Sequence, residues 1–269
     1  MKKSFSILVL LCLCAACPAR ADQETITLVA DEWCPYNCVP NSEKPSYMVE
    51  IATVAFARHG ISVKYITLPW ARSIEDTRDN KYTAIIGAYY NDAPDFIYPE
   101  TPQGLCRFSF YVKKDDPWQF RNIDSLKTRT LGAINDYSYS VALDDYISTE
   151  NEQSGRVQIL SGESAIQNNI KKLLAGRINT YVEDRQVMAY TLSHKDYDSI
   201  RDTLRDAGTL PDQDDGNGII FIAFSPHNPK SAAYARILSD ETKAMMHSGE
   251  MKTILTKYGI DDFTGEKTR

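Results

Sequence analysis

The sequence predicts an α/β protein of two lobes with a cleft between them, and three observations carry that prediction. Strand-like and helix-like segments alternate along almost the whole chain. They form two βα series, and such alternation implies mainly parallel sheets with helix-covered faces. Extended segments near Arg107–Lys113 and Gly218–Phe224 separate the series, so the chain is expected to cross twice between halves that can hinge.

Each element follows from its local pattern. Ile26–Ala30 is a short apolar run and reads as a buried strand. A polar, Pro-containing loop follows to Pro45, and then Met48, Ile51, Ala52 and Ala55 form one helical stripe within Tyr47–Arg58. Gly60 suits the left-handed position that ends such a helix. Val63–Thr67 is the second strand, Pro69 turns into a helix over Ala71–Asp79, and Thr83–Tyr89 is the third strand. Phe108, Phe110 and Val112 alternate with smaller or more polar neighbours and give another strand. The second series runs as strand Thr130–Ile134, helix Tyr139–Ile147, strand Val157–Leu160, helix Ala165–Leu174, strand Ile178–Glu183 and helix Arg185–Leu192. A turn-prone patch at Gly216–Gly218 precedes strand Ile219–Phe224. Helices over Lys230–His247 and Glu250–Tyr258 close the chain and are expected to return to the first lobe. The expected division is a leader at 1–21, lobe one at 22–112, lobe two at 113–217 and a return segment of lobe one at 218–269. No internal repeat or low-complexity segment stands out.

The first 21 residues read as a secretory leader. Lys2 and Lys3 precede an apolar run from Phe5 to Cys17, and Ala19-Arg20-Ala21 puts small residues before a cut that leaves Asp22 first. That run is too short to span a bilayer comfortably. An alternative is lipoprotein-type processing at Cys17, although Cys14 then stands where Leu is usual. Exported chains work outside the cytoplasm, without ATP and with little reducing power. The net charge of −6 falls to −9 once Lys2, Lys3 and Arg20 leave, and an acidic protein is a poor match for nucleic acid, whose binding rests on phosphate neutralisation. Three cysteines remain in the processed chain. Cys34 and Cys38 are spaced to close a small disulfide loop in an oxidising compartment, unless Cys106 captures either of them. None of His59, His194, His227 and His247 stands at ligand spacing to these cysteines, so no metal site is expected.

Several segments, taken in order, resemble a known family. Trp33-Cys34-Pro35-Tyr36 matches a Pro-aromatic loop after the first strand. Ser46-Tyr47-Met48-Val49-Glu50 matches a Gly-aromatic-x-x-Asp helix start, with Ser46 and Glu50 as substitutions. Leu68-Pro69-Trp70-Ala71-Arg72, the stretch from Ala175 to Asp184, and the ending Ser248-Gly249-Glu250 with Ile254 and Lys257-Tyr258-Gly259 match further signatures. On these segments the chain resembles bacterial extracellular solute-binding proteins of family 3, which include periplasmic amino-acid-binding proteins. The resemblance implies a two-lobe periplasmic-binding-protein-like fold of type II with two hinge strands. It implies a monomer in the periplasm that traps a small solute by closing, without cofactor or catalysis, often for an ABC importer. A membrane receptor is the alternative partner, and the sequence barely separates uptake from sensing.

Candidate ligand residues follow from the rule that open α/β lobes bind at the carboxyl ends of their strands. The rule selects Glu32, Trp33 and Tyr36, then Trp70 and Arg72, then Tyr89, Tyr90 and Asn91. In lobe two it selects Asp136, Tyr137, Ser138, Tyr139 and Ser140, then Glu183 and Asp184. The resemblance implies that Asp184 accepts hydrogen bonds from a ligand ammonium, and the bland alternative is a helix N-cap. It also implies that the helix start at Ser138 and Ser140 holds a carboxylate, again against simple capping. One departure stands out. Relatives that bind α-amino acids carry an Arg shortly after the third strand, where this chain has Asn91-Asp92-Ala93-Pro94-Asp95. Arg72 is then the candidate clamp, unless it merely pairs with Glu75 or Asp76 on the surface. Trp33, Tyr36, Trp70, Tyr89, Tyr90, Tyr137 and Tyr139 are numerous enough to wall a ring, an apolar chain or a quaternary ammonium. An enzyme on the same scaffold, such as a dehydratase or lyase, would need an acid/base pair. Glu183 and Asp184 are adjacent on a strand and point to opposite faces, which weakens that reading.

Overall fold

Short runs of four to six mostly buried residues, covered on both faces, make the inner strands of two sheets. The computed structural model describes residues 23–40, 46–162, 164–211, 218–260 and 262–263. The leader with Cys17 and the cut at Ala21 lies outside the described residues, as do residues 41–45 and Gly216. Lobe one opens with β1 (Thr25–Ala30), α1 (Tyr47–Ala57), β2 (Ser62–Thr67), α2 (Trp70–Arg78), β3 (Ala84–Ala88) and the short β4 (Gly104–Leu105). Lobe two contains β5 (Phe108–Lys113), β6 (Leu131–Ile134), α3 (Val141–Gln153), β7 (Val157–Leu160), α4 (Ala165–Leu174), β8 (Thr180–Asp184), α5 (Arg185–Ser193) and β9 (Leu204–Thr209). The chain then returns to lobe one as β10 (Ile219–Phe224), α6 (Ser231–Ser248) and α7 (Glu250–Tyr258).

The sheets share one plan. Lobe one is ordered β2-β1-β3-β10-β4 and lobe two β7-β6-β8-β5-β9. In each, the first three strands are parallel, the fourth runs against them and the fifth pairs antiparallel with the fourth. The fourth strand of each sheet belongs to a crossing, as expected for a hinged pair. The crossings touch where Cys106 N donates to Gly218 O at 2.7 Å.

Packing explains why each helix sits where it does. α1, α6 and α7 cover one face of the first sheet, where the Phe56 ring meets Phe224 and Tyr234 edge-on at 6.2 and 6.0 Å. Burying such a ring contributes roughly 2–3 kcal/mol. α2 closes the other face over a smaller core containing Val29, Trp70, Ile85, Phe96 and Ala223. The return of α7 is fixed at its end by Tyr258, whose hydroxyl donates to Glu50 at 2.6 Å. No described helix is long and apolar enough to cross a membrane.

Three expectations need correction. Phe108–Val112 was expected in lobe one, but β5 pairs with β8 and β9, so the first crossing lies at Cys106–Arg107. The helix expected from Tyr139 starts at Val141, because Ser140 is extended and caps it by accepting from Leu143 N at 3.2 Å. β4 and β9 were not foreseen. In β9 the buried positions, Leu204 and Ala207, stand three apart rather than two, and a register shift against its partner β5 breaks the alternation.

Candidate functional site

The loops at the carboxyl ends of the strands converge, so the two lobes meet there. After β1, Trp33 and Asn37 form an antiparallel bridge, with Trp33 N donating to Asn37 O at 2.8 Å. Within this loop Cys34 and Cys38 form a disulfide with a Cα separation of 4.7 Å, and the Cys34–Pro35 peptide is cis. Cys106 is a free, buried thiol. The tight loop stacks Trp33 on Tyr36 at 4.3 Å between centroids and presents the indole to the other lobe.

Hydrogen bonds between described residues join the lobes across this space. Trp33 Nε1 donates to Glu183 Oε1 at 3.2 Å, Tyr137 OH donates to Asp31 Oδ2 at 2.8 Å, and the Ser138 hydroxyl donates to Asp92 Oδ1. The gap between them is lined by Asp31, Trp33, Trp70, Tyr89, Asp92 and Tyr137, with Ile86, Gly87, Phe108 and Ser138 completing it. The room left is about 20 Å³, enough for about one water molecule. Gly87 faces the Trp33 ring, and a Cβ there would stand 3.4 Å from it.

The electrostatics of the gap are one-sided. Desolvation pushes Asp31 up to about 6, partly offset by its hydrogen bond from Tyr137. Desolvation likewise pushes Asp92 up to about 7 against its bonds from Ser138 and the Tyr89 amide. Glu183 is buried and also pushed up to about 7, against bonds from Tyr181, the Asp184 amide and Trp33. Hydrogen bonds from neutral donors favour the charged form but do not replace lost hydration.

The residues selected from the sequence divide into two groups. Trp33, Trp70, Tyr89, Tyr137 and Ser138 are brought together around the gap. Tyr36 and Tyr139 are buried behind it, Tyr36 donating to Leu105 O at 2.9 Å and Tyr139 OH accepting from Ile134 N at 2.9 Å. Tyr90 is 57% exposed and packs on Tyr98 instead. Arg72 is not a clamp: it stands on the surface of α2 with its side chain 68% exposed, paired to Asp76 at 3.3 Å. Asp184 is buried and turned to the hinge. One of its oxygens caps α5 by accepting from Gln186 N and Val187 N at 2.8 and 3.0 Å, and the other accepts from Arg107 N at 2.8 Å. Burial raises its pKa, and these backbone donors oppose the rise.

Asp184→Ala is therefore expected to cost about 2–3 kcal/mol of folding stability, since three backbone N–H groups lose their acceptor. The urea midpoint reads this directly, and an unchanged midpoint would show that the cap carries no weight.

Asp31, Asp92 and Phe108 were missed, although all three line the gap. The available signal was the acid at the end of β1 and the acid standing where relatives have Arg.

The fold is that of two-lobe periplasmic binding proteins. A histidine kinase sensor domain with similarity to periplasmic binding proteins superposes with TM-score 0.68 at 14% identity, over 88% of this chain and 97% of that one. An ancestral arginine-binding protein bound to arginine gives 0.68 at 13% identity, over 87% and 97%. An arginine 3rd transport system periplasmic binding protein from Legionella pneumophila gives 0.67 at 13% identity, over 87% and 99%. No family model matches the sequence, and no curated protein matches it in sequence.

Proposed function

We propose that the chain is an exported, monomeric solute-binding protein that closes its lobes over a small amino-acid-like or amine-containing molecule and does not alter it. The observation that carries this reading is the meeting of polar side chains from both lobes across one aromatic-lined gap. Such a gap exists only when the lobes are together, so its contents can hold them together. Trp33, Trp70, Tyr89, Tyr137 and Ser138 are the proposed ligand contacts. As the lobes stand, the gap admits about one water, so a solute enters only after opening about the two crossings. Solved proteins of this fold include the substrate-binding protein of an amino acid ABC transporter, which supports delivery to an importer in the periplasm. The likeness to a histidine kinase sensor domain supports a second reading, in which the occupied form signals to a membrane receptor.

Small-angle scattering of the processed protein, with and without a panel of amino acids, amines, sugars and inorganic anions, tests the reading. One panel member is expected to reduce the radius of gyration, raise the Tm and be recovered unchanged. Chemical conversion of that compound, or no response to any of them, would overturn it.

A further inference from the structure

The gap between the lobes holds negative charge that none of the described lining residues balances. Asp31 and Asp92, from lobe one, line it, and Glu183 of lobe two stands beside it through its bond from Trp33; among the described residues the hydrogen bonds these three carboxylates accept come from neutral donors. Among the described residues that line the gap there is no Lys, Arg or His. Arg72 stands on the outer surface with Asp76. Arg107, at the hinge, borders a neighbouring hollow that shares Tyr89 and Phe108 with the gap. Carboxylates taken out of water without an opposite charge are costly, and two things relieve that cost: protons or a cation.

The walls choose between kinds of cation. Trp33, Trp70, Tyr89, Phe108 and Tyr137 surround the gap, and ring faces attract organic cations through their quadrupoles. A hard metal ion needs six or more oxygens, and among the described residues no group of three or more His, Cys, Asp or Glu is placed to hold one. A carboxylate on the solute would meet like charge here, with no guanidinium to receive it.

Building on the binding-protein reading, we propose that the solute is an organic cation without a carboxylate, held among the rings of Trp33, Trp70 and Tyr137 with Asp31 and Asp92 as its counter-charges. When the lobes part, the Tyr137–Asp31 and Ser138–Asp92 bonds break and leave both carboxylates with open acceptor sites. An ammonium or guanidinium donates to those sites, whereas a quaternary ammonium uses the rings and the charge alone.

Binding is linked to protons. Asp31 and Asp92 lie raised to about 6 and about 7, so part of each population is protonated near neutral pH, and a cation displaces those protons. The groups facing Asp31 are Tyr137, Glu32, Tyr65 and Asp92. Those facing Asp92 are Ser138, Tyr89, Asp144, Asp31 and Tyr98. Glu183 faces Tyr181, Trp33, Asp184, Tyr137 and Tyr139. None of these supplies positive charge, so affinity for a cation rises with pH between about 5 and 8.

The test titrates the processed protein with agmatine against L-arginine, cadaverine against L-lysine, and tetramethylammonium, with a neutral sugar and sulfate as controls. Trp33 and Trp70 report binding by fluorescence, and calorimetry in buffers of different ionisation enthalpy reports protons. The decarboxylated partner of at least one pair, or tetramethylammonium, is expected to bind about tenfold or more tighter than any amino acid tested, with proton release. Its affinity is expected to fall by up to about tenfold per pH unit per displaced proton as pH drops below 7. Asp31→Asn and Asp92→Asn should each cut that affinity about tenfold or more, with circular dichroism unchanged. Equal or tighter binding of the amino acids, or binding of the sugar or sulfate alone, would overturn the cation assignment while leaving a binding protein in place. Amino-acid binding lost in Arg107→Ala would then place a carboxylate at the hinge. No binding by any compound, at any pH, would overturn the cation assignment and the binding-protein reading together.

Discussion

The Tm of the ligand-free protein is expected to fall by about 5–10 °C between pH 5 and pH 8, and Asp31→Asn/Asp92→Asn/Glu183→Gln is expected to flatten that slope. Asp31 and Asp92 rise from an ordinary 3.8 to about 6 and about 7, and Glu183 rises from 4.5 to about 7. A carboxyl whose pKa is higher folded than unfolded binds more protons in the native state at every pH between the two values. Its contribution is full below the unfolded pKa and is lost as pH rises through the folded one, here between about 4 and about 7. The full linkage of three such shifts would be very large. It is cut to on the order of a few kcal/mol because parting of the lobes rehydrates the carboxylates without unfolding the chain. Differential scanning calorimetry across this window is the measurement. A Tm that is constant or climbs with pH would show that the lobes do not shut on these groups in solution. The triple variant also separates this effect from acids outside the gap such as Asp76 and Glu241, whose pKa values are lowered by Lys81 and Arg58 and whose pairs weaken only on acidification.

Gly218→Ala is expected to cost about 2–4 kcal/mol and to loosen the hinge. Gly218 has φ +75°, and a Cβ there would run into the carbonyl oxygen of Cys106 on the other crossing strand. Backbone cannot yield as a flexible side chain can, so the two strands must separate. The bond from Cys106 N to Gly218 O, at 2.7 Å, is then strained or lost. Chemical denaturation and protection of the Cys106 amide from hydrogen exchange measure both consequences. Wild-type stability with full protection would show that the crossing has slack which the packing denies. Gly60→Ala provides the contrast. Its φ is similar at +71°, but a Cβ there meets nothing within 4 Å, so only the conformational cost of about 1 kcal/mol remains.

Most of the fold was legible because its inner strands are buried on both faces. β3 and β10 are apolar throughout, β8 is buried at every position, and the helices keep clear stripes such as Met48, Ile51, Ala52 and Ala55. What was hidden depends on partners far along the chain. Phe108, Phe110 and Val112 are buried whichever sheet takes them, so their pattern cannot name the lobe. The strand-end rule picked out most of the rings that line the gap because aromatic side chains are long and the loops converge. It erred on Arg72, which α2 sets four residues before Asp76 on an outward face. It also passed over Asp31 and Asp92, because an acid in a loop looks solvated until the opposite lobe is known to cover it.

The topology makes the halves unequal in how they can be built. Every strand of the second sheet lies between Phe108 and Thr209, a continuous stretch that needs nothing from either end of the chain. The first sheet instead waits for β10, which enters between β3 and β4 and arrives more than a hundred residues after them. As the polypeptide is made in chain order, the middle portion has everything required to fold, while the early portion holds an open seam until the tail arrives. The gap, which needs both, is the last thing the molecule acquires.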